Sequence, residues 1–285
     1  MESGELVTNM FFAVASRSCF CTWICLTLGM VVLATGSRAR GDDDSSVFGQ
    51  SQQSEAALIG MMYDLKQFLP NQPTSLAVDY STVVENFLRE NWDEAILNRY
   101  YRVSRPLYTT QIFIPTMDAG LAPKAFGAEK TVKPSQWIIH YKAEVSAPSA
   151  GTYRFWGAAD DVLAVAVNGA TELVCCRPDT HVPNDGWTQT STQIIPGPEG
   201  DDPLRPGDWF TLGDKEIMDL DVIIGERPGG AFNAFLLIEK KGGAYQKDAQ
   251  GNLILPIFQV APYATKGMEP LPKFATGFPI WKSFQ

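Results

Sequence analysis

Asp160 and Asp161, two adjacent carboxylates, are the residues of this chain best suited to chemistry. They interrupt a strand-like stretch, GTYRFWGAADDVLAVAVNG, running from Gly151 to Gly169. Neighbours on one turn suit the sharing of a cation. Glycoside hydrolysis instead sets two carboxyls ~5 Å or ~6.5–9.5 Å apart across a cleft. Hard oxygen ligands select Ca2+ over a transition metal. Further along, Asn184, Asp185 and Trp187 fall in a long loop, where binding residues collect on a rigid scaffold. Oxygen ligands beside an exposed Trp suit calcium-assisted sugar recognition, and a solvated turn with its Trp in the core is the equal alternative. Tyr100 and Tyr101 stand among Arg99, Arg102 and Arg105. Aromatics interleaved with Arg can stack on sugars or bases, and the acidic chain makes bases the poorer choice.

Other reactive groups are few. His140 alternates with Lys142 and Glu144 on the polar side of a strand, which reads as a surface histidine, and His181 lies in the loop that holds Asn184. Of five cysteines, Cys175 and Cys176 follow the first 39 residues. Adjacent Cα atoms lie ~3.8 Å apart, below the usual ~4.4 Å minimum for a disulfide. Free thiols are expected, one buried and one near the surface. No Gly-x-Ser-x-Gly elbow, phosphate-binding Gly-x-x-x-x-Gly-Lys loop or His-Glu-x-x-His pair occurs.

The elements that must position the Asp pair are strands. Tyr153 and Phe155 alternate with Thr152 and Arg154, the period of a strand with one buried face. Val162 to Val167 is apolar throughout, as expected for a strand covered on both faces. Asn168-Gly169 then supplies the positive φ of a tight hairpin turn. Trp137 to Val145 alternates cleanly, and strands are also expected over 57–64, 107–114, 217–225, 231–239 and 252–260. A single amphipathic helix is expected over 82–97. Thr82 and Glu85 suit a capping box there, and Val84, Phe87, Leu88, Trp92, Ala95 and Ile96 form one stripe.

The pattern of Gly151, Tyr153, Phe155, Asp160, Asp161, Asn168 and Gly169 resembles the β-sandwich module named after anthrax protective antigen. That family usually has Gly directly after the Asp pair, where this chain has Val162. The resemblance is specific over 151–169 and weaker over 138–151. It implies an all-β antiparallel sandwich, an exported context and carbohydrate as the ligand class. It also implies a cis peptide between Asp160 and Asp161, as in members that bind calcium.

Length and charge bound the rest. The 285 residues, 45% of them hydrophobic, can build one large β domain or two ordinary ones. A net charge of −9 argues against nucleic acid, whose affinity rests on clustered Lys and Arg. Residues 1–39 read as a secretory signal: Arg17, an apolar run from Cys19 to Thr35, then Ser37-Arg38-Ala39 for cleavage. The alternative is a retained anchor, since the run just reaches the ~17 residues needed to span a bilayer. After cleavage no membrane span is expected. Residues 40–56 read as a mobile polar leader, 57–260 as the sandwich, and 261–285 as an irregular arm of prolines and aromatics.

These readings lead to an exported, non-catalytic module that binds carbohydrate or a cell-surface or matrix partner, with Ca2+ as the cation. A structural or assembly protein of the cell envelope is the first alternative. A glycoside hydrolase or its accessory domain is the weaker one.

Overall fold

The computed structural model describes residues 45–69, 79–177, 182, 186–199, 202–262 and 273–284. The expected signal, the start of the leader, His181, Asn184 and Asp185 lie outside the described residues. Early strands are β1 (Ser45–Ser46), β2 (Gly49–Gln50), β3 (Leu58–Phe68), β4 (Tyr100–Arg102), β5 (Leu107–Thr109) and β6 (Phe113–Asp118). The central ones are β7 (Trp137–Ser146), β8 (Gly151–Asp160), β9 (Val162–Val167) and β10 (Ala170–Cys176). Then come β11 (Arg205–Pro206), β12 (Phe210–Leu212), β13 (Ile217–Glu226), β14 (Ala231–Lys240) and β15 (Lys282–Phe284). Helices are α1 (Tyr80–Arg89), α2 (Glu94–Leu97) and α3 (Leu121–Ala125).

The chain is an all-β antiparallel sandwich. Among the described residues the larger sheet runs β1-β2-β5-β3-β7-β13-β9-β10, with β4 on β3 and β15 on β7. The smaller sheet runs β11-β8-β14-β6, with β12 on β8. Tyr153 and Phe155 from β8 meet Leu163, Val165 and Val167 from β9 in the core between the sheets. The other side of β9, Val162, Ala164 and Ala166, packs beneath Val83, Val84 and Phe87 of α1. Both faces of β9 are therefore covered, which is why its sequence is apolar without alternation.

Two expected strands differ: 107–114 divides into β5 and β6, which lie in different sheets, and 252–260 forms isolated bridges instead of a strand. Three further expectations need correction. The 82–97 helix is two helices, broken where Asn91 and Trp92 take φ of 53° and 60°. The cap is Asp79, whose side chain accepts from Ser81 N at 3.2 Å, so Thr82 lies inside α1. The break turns the Trp92 ring onto Phe87 and lets its Nε1 donate to Thr171 Oγ1 at 2.9 Å. Second, the supposed leader enters the sheet from Ser45 onward, with β2 pairing β5 at Gln50 and Tyr108. Phe48, an isolated aromatic in a polar stretch, is 1% exposed and stacks on Phe232. Third, His140 is buried: Phe87 and Trp92 cover its ring, and Nε2 lies 2.7 Å from Asp221 Oδ1. Strand alternation identified its face, but the helical cover came from the chain break.

The last aromatic residues pin the C-terminal segment, with Trp281 packed edge-on against Tyr153 at 5.1 Å. The strand β15 beside β7 there was not expected. No helix among the described residues is long and apolar enough to cross a membrane.

Candidate functional site: an acidic rim at the β8–β9 corner

At the end of β8 the chain turns through Asp160 and Asp161, joined by a cis peptide bond. Asp161 N donates to Gly225 O at 3.1 Å, and Asp161 O accepts from Arg177 N at 3.0 Å. The corner is thus laced to the ends of β13 and β10. Register brings Gly225 opposite Val162, so the next residue of β13, Glu226, reaches the Asp pair. Carboxyl oxygens of Asp160, Asp161 and Glu226 all lie within 4.8 Å of one another.

Burial gives this cluster its electrostatics. Asp161 is 1% exposed and Glu226 0%, while Asp160 is half-buried. Some charge is answered locally. Arg177 Nη1 sits 2.8 Å from Asp160 Oδ2, Arg227 N donates to Asp161 Oδ2 at 2.8 Å, and Gly229 N donates to Glu226 Oε1 at 2.7 Å. Glu226 Oε2 is buried without a hydrogen-bond partner among the described residues. Loss of water, and then the neighbouring Asp161 charge, push the Glu226 carboxyl up to about 8. Burial and Asp161 also raise Asp160, against the pull of Arg177.

Tyr80, the first residue of α1, closes the inner side. Its buried hydroxyl also lacks a hydrogen-bond partner among the described residues. Burial, followed by the charges of Asp161 and Glu226, drives its pKa well above the ordinary phenol value. Gly225 has no side chain here because a Cβ would collide with Tyr80 Oη. On the other side Asn233 pairs with Asp160 in register, and its Nδ2 donates to Asp202 Oδ2 at 2.7 Å.

Glu226 and Tyr80 were not candidates from the sequence. Glu226 ends the apolar run Val222-Ile223-Ile224-Gly225, and a lone carboxylate closing such a run was the signal available. Of the expected site residues, only Asp160 and Asp161 come together among those described. Trp187 is half-buried, with its Nε1 donating to Asp208 Oδ2 at 2.8 Å. Tyr100 is 4% exposed and packs on Phe68, so its ring is closed to a ligand. Tyr101 lies level with Glu226 across β4, β3, β7 and β13. Three strand spacings put roughly 14 Å between them.

The arrangement can hold a cation or a shared proton. It does not suit hydrolysis by these groups, since the sealed carboxyls of Asp161 and Glu226 cannot touch a glycosidic oxygen.

No family model matches the chain and no curated protein matches it. Solved structures do resemble it. One described as a PA14 sugar-binding domain from an RTX adhesin is 18% identical, covering 72% of this chain and 95% of that one, with a TM-score of 0.43. The PA14 domain of the antifreeze protein MpAFP is 15% identical, covering 68% and 87%, with a TM-score of 0.39. The Epithelial Adhesin 6 A domain from Candida glabrata, solved with Galb1-3GlcNAc, is 12% identical over 67% and 83%, with a TM-score of 0.34.

Proposed function

We propose that this chain is an exported, non-catalytic binding module that recognises a glycan or another hydroxyl-rich surface ligand through Ca2+ at the Asp160 rim. One observation carries the reading: three carboxylates converge within 4.8 Å, and the buried Glu226 Oε2 has no hydrogen-bond partner among the described residues. Like charges in a poorly solvated site repel unless a proton or a cation lies between them. The donor set fits calcium, since every ligand is a hard oxygen. Asp160, Asp161 and Glu226 would hold the ion, with Arg177 Nη1 2.8 Å from Asp160 Oδ2. When bound, Ca2+ supplies positive charge and accepts six to eight oxygens, more than the one oxygen that each of the three carboxylates brings to the cluster. Ligand hydroxyls suit the remaining positions. Asp160 is the most exposed of the three and defines the outward side of the cluster.

The test is a glycan array probed in millimolar Ca2+ and again in EDTA. Binding that disappears in EDTA and in Asp160→Ala supports the reading. Glycan binding indifferent to both overturns the calcium role. Calcium binding without any glycan would shift the partner to a protein surface, the envelope-assembly alternative.

A further inference from the structure

A second concave site lies where β8 begins. Tyr153 precedes Asp160 by seven residues along this strand, about 24 Å at ~3.4 Å per residue, so the two places are separate. A cavity of about 290 Å3 opens there between the hairpin after β14 and the C-terminal segment. Tyr153, Tyr245, Phe278 and Trp281 line it, with Ile238 and Ile257 among the aliphatic residues. Tyr245 and Phe278 stack at 5.5 Å with their planes 16° apart.

The tyrosine hydroxyls are engaged with protein. Tyr153 Oη donates to Ser149 O at 2.6 Å, and Tyr245 Oη accepts from Lys240 N at 2.6 Å. Their rings are what the cavity receives. One charged group joins them: Lys240 Nζ donates to Ser149 Oγ at 2.7 Å and to Ala150 O at 2.9 Å. An ammonium has three donors, so among the described residues these two neutral acceptors leave one N–H, with the Tyr153 ring centre 5.5 Å from Nζ. No carboxylate pairs with Lys240 among the described residues, although the chain carries a net charge of −9. Gly151 lets the lysine stem lie in place, since a Cβ there would stand 2.5 Å from Lys240 Cε. Small-molecule sites have this composition: apolar and aromatic walls with a few convergent polar groups.

We propose that this pocket binds a small aromatic carboxylate, its ring against the aromatic walls and its carboxylate on Lys240. The charge-assisted hydrogen bond to a free ammonium donor selects the anion, and the rings select a flat apolar body.

The experiment is titration calorimetry of the purified protein with phenylacetate, phenylacetamide and acetate. Phenylacetate should bind with a millimolar or tighter Kd, the isosteric amide about tenfold more weakly, and acetate not at all. Lys240→Met should reduce phenylacetate to the level of the amide while leaving amide binding unchanged. Lys240→Arg should retain the preference. Gly151→Ala, which keeps the charge but displaces the lysine stem, should weaken phenylacetate selectively. Equal affinity for phenylacetate and its amide, no phenylacetate binding, or a Lys240→Met variant that still prefers the anion would each overturn the proposal. If Lys240→Met loses both ligands, the arginine variant decides: a retained preference supports the site and a lost one refutes it.

Discussion

Glu226 and Asp161 bring carboxyl oxygens within 4.8 Å of each other while their residues are only 0% and 1% exposed. Asp161 is the corner residue between β8 and β9, and Glu226 is the last residue of β13. Repulsion in so little water is the physical centre of this molecule.

The first prediction concerns pH. Burial and Asp161 raise Glu226 from the ordinary 4.5 to about 8. Between those values the folded state holds a proton that the unfolded chain has released, so the unfolded state binds fewer protons. Stability must then fall as pH rises through this window. Urea unfolding in EDTA at several pH values should show that decline, and Glu226→Gln should flatten it. A wild-type stability that rises with pH across the same range would contradict the assignment.

Tyr80 yields a prediction of opposite sign to most core substitutions. Its hydroxyl is buried, has no hydrogen-bond partner among the described residues and feels the charges of Asp161 and Glu226. Tyr80→Phe removes that polar atom and should stabilise the protein by about 1–3 kcal/mol. Gly225→Ala should destabilise by about 1–3 kcal/mol through collision with the same oxygen. The double variant should recover part of that loss. Additive effects in a double-mutant cycle would show that the two residues do not meet.

Arg154 and Glu239 form a buried pair at 2.6 Å, and Glu239 Oε2 also accepts from Trp156 Nε1 at 2.7 Å. Glu239→Ala takes this acceptor from the Trp156 indole N–H and the carboxylate from the Arg154 guanidinium, which keeps Gln193 Oε1 at 3.3 Å. A loss of about 3–5 kcal/mol is expected in chemical denaturation. A loss under 1 kcal/mol would mean that water reaches the guanidinium.

Val165 lies in β9 between Leu173 of β10 and Val222 of β13, and is 0% exposed. Val165→Ala should cost roughly 1–3 kcal/mol through lost burial and a residual cavity. An unchanged thermal midpoint would remove β9 from the centre of the sandwich.

What could be read without coordinates follows the range of each signal. The apolar run of β9 and the alternation of Tyr153 and Phe155 are local, and both strands stand where those patterns put them. The Asp160–Asp161 corner was visible because two unlike strand patterns flank it. Glu226 was not, since its approach depends on the register of β13 against β9, and nothing in its neighbours encodes that pairing. His140 was misplaced for a related reason. Its strand face was legible, but the left-handed residues Asn91 and Trp92, which fold the helical segment over it, are not marked by glycine. The single stripe over 82–97 therefore read as one continuous helix.

The most direct test of the calcium rim is scanning calorimetry of the wild type and of Asp160→Ala, each in about 1 mM Ca2+ and in EDTA, a level suited to weak extracellular sites with Kd of ~0.1–1 mM. Binding at ~0.1 mM adds about 1.4 kcal/mol, which raises the midpoint of a domain this size by roughly 3–6 °C. The account predicts that rise in the wild type and its absence in Asp160→Ala. A wild-type midpoint identical in Ca2+ and EDTA would contradict it.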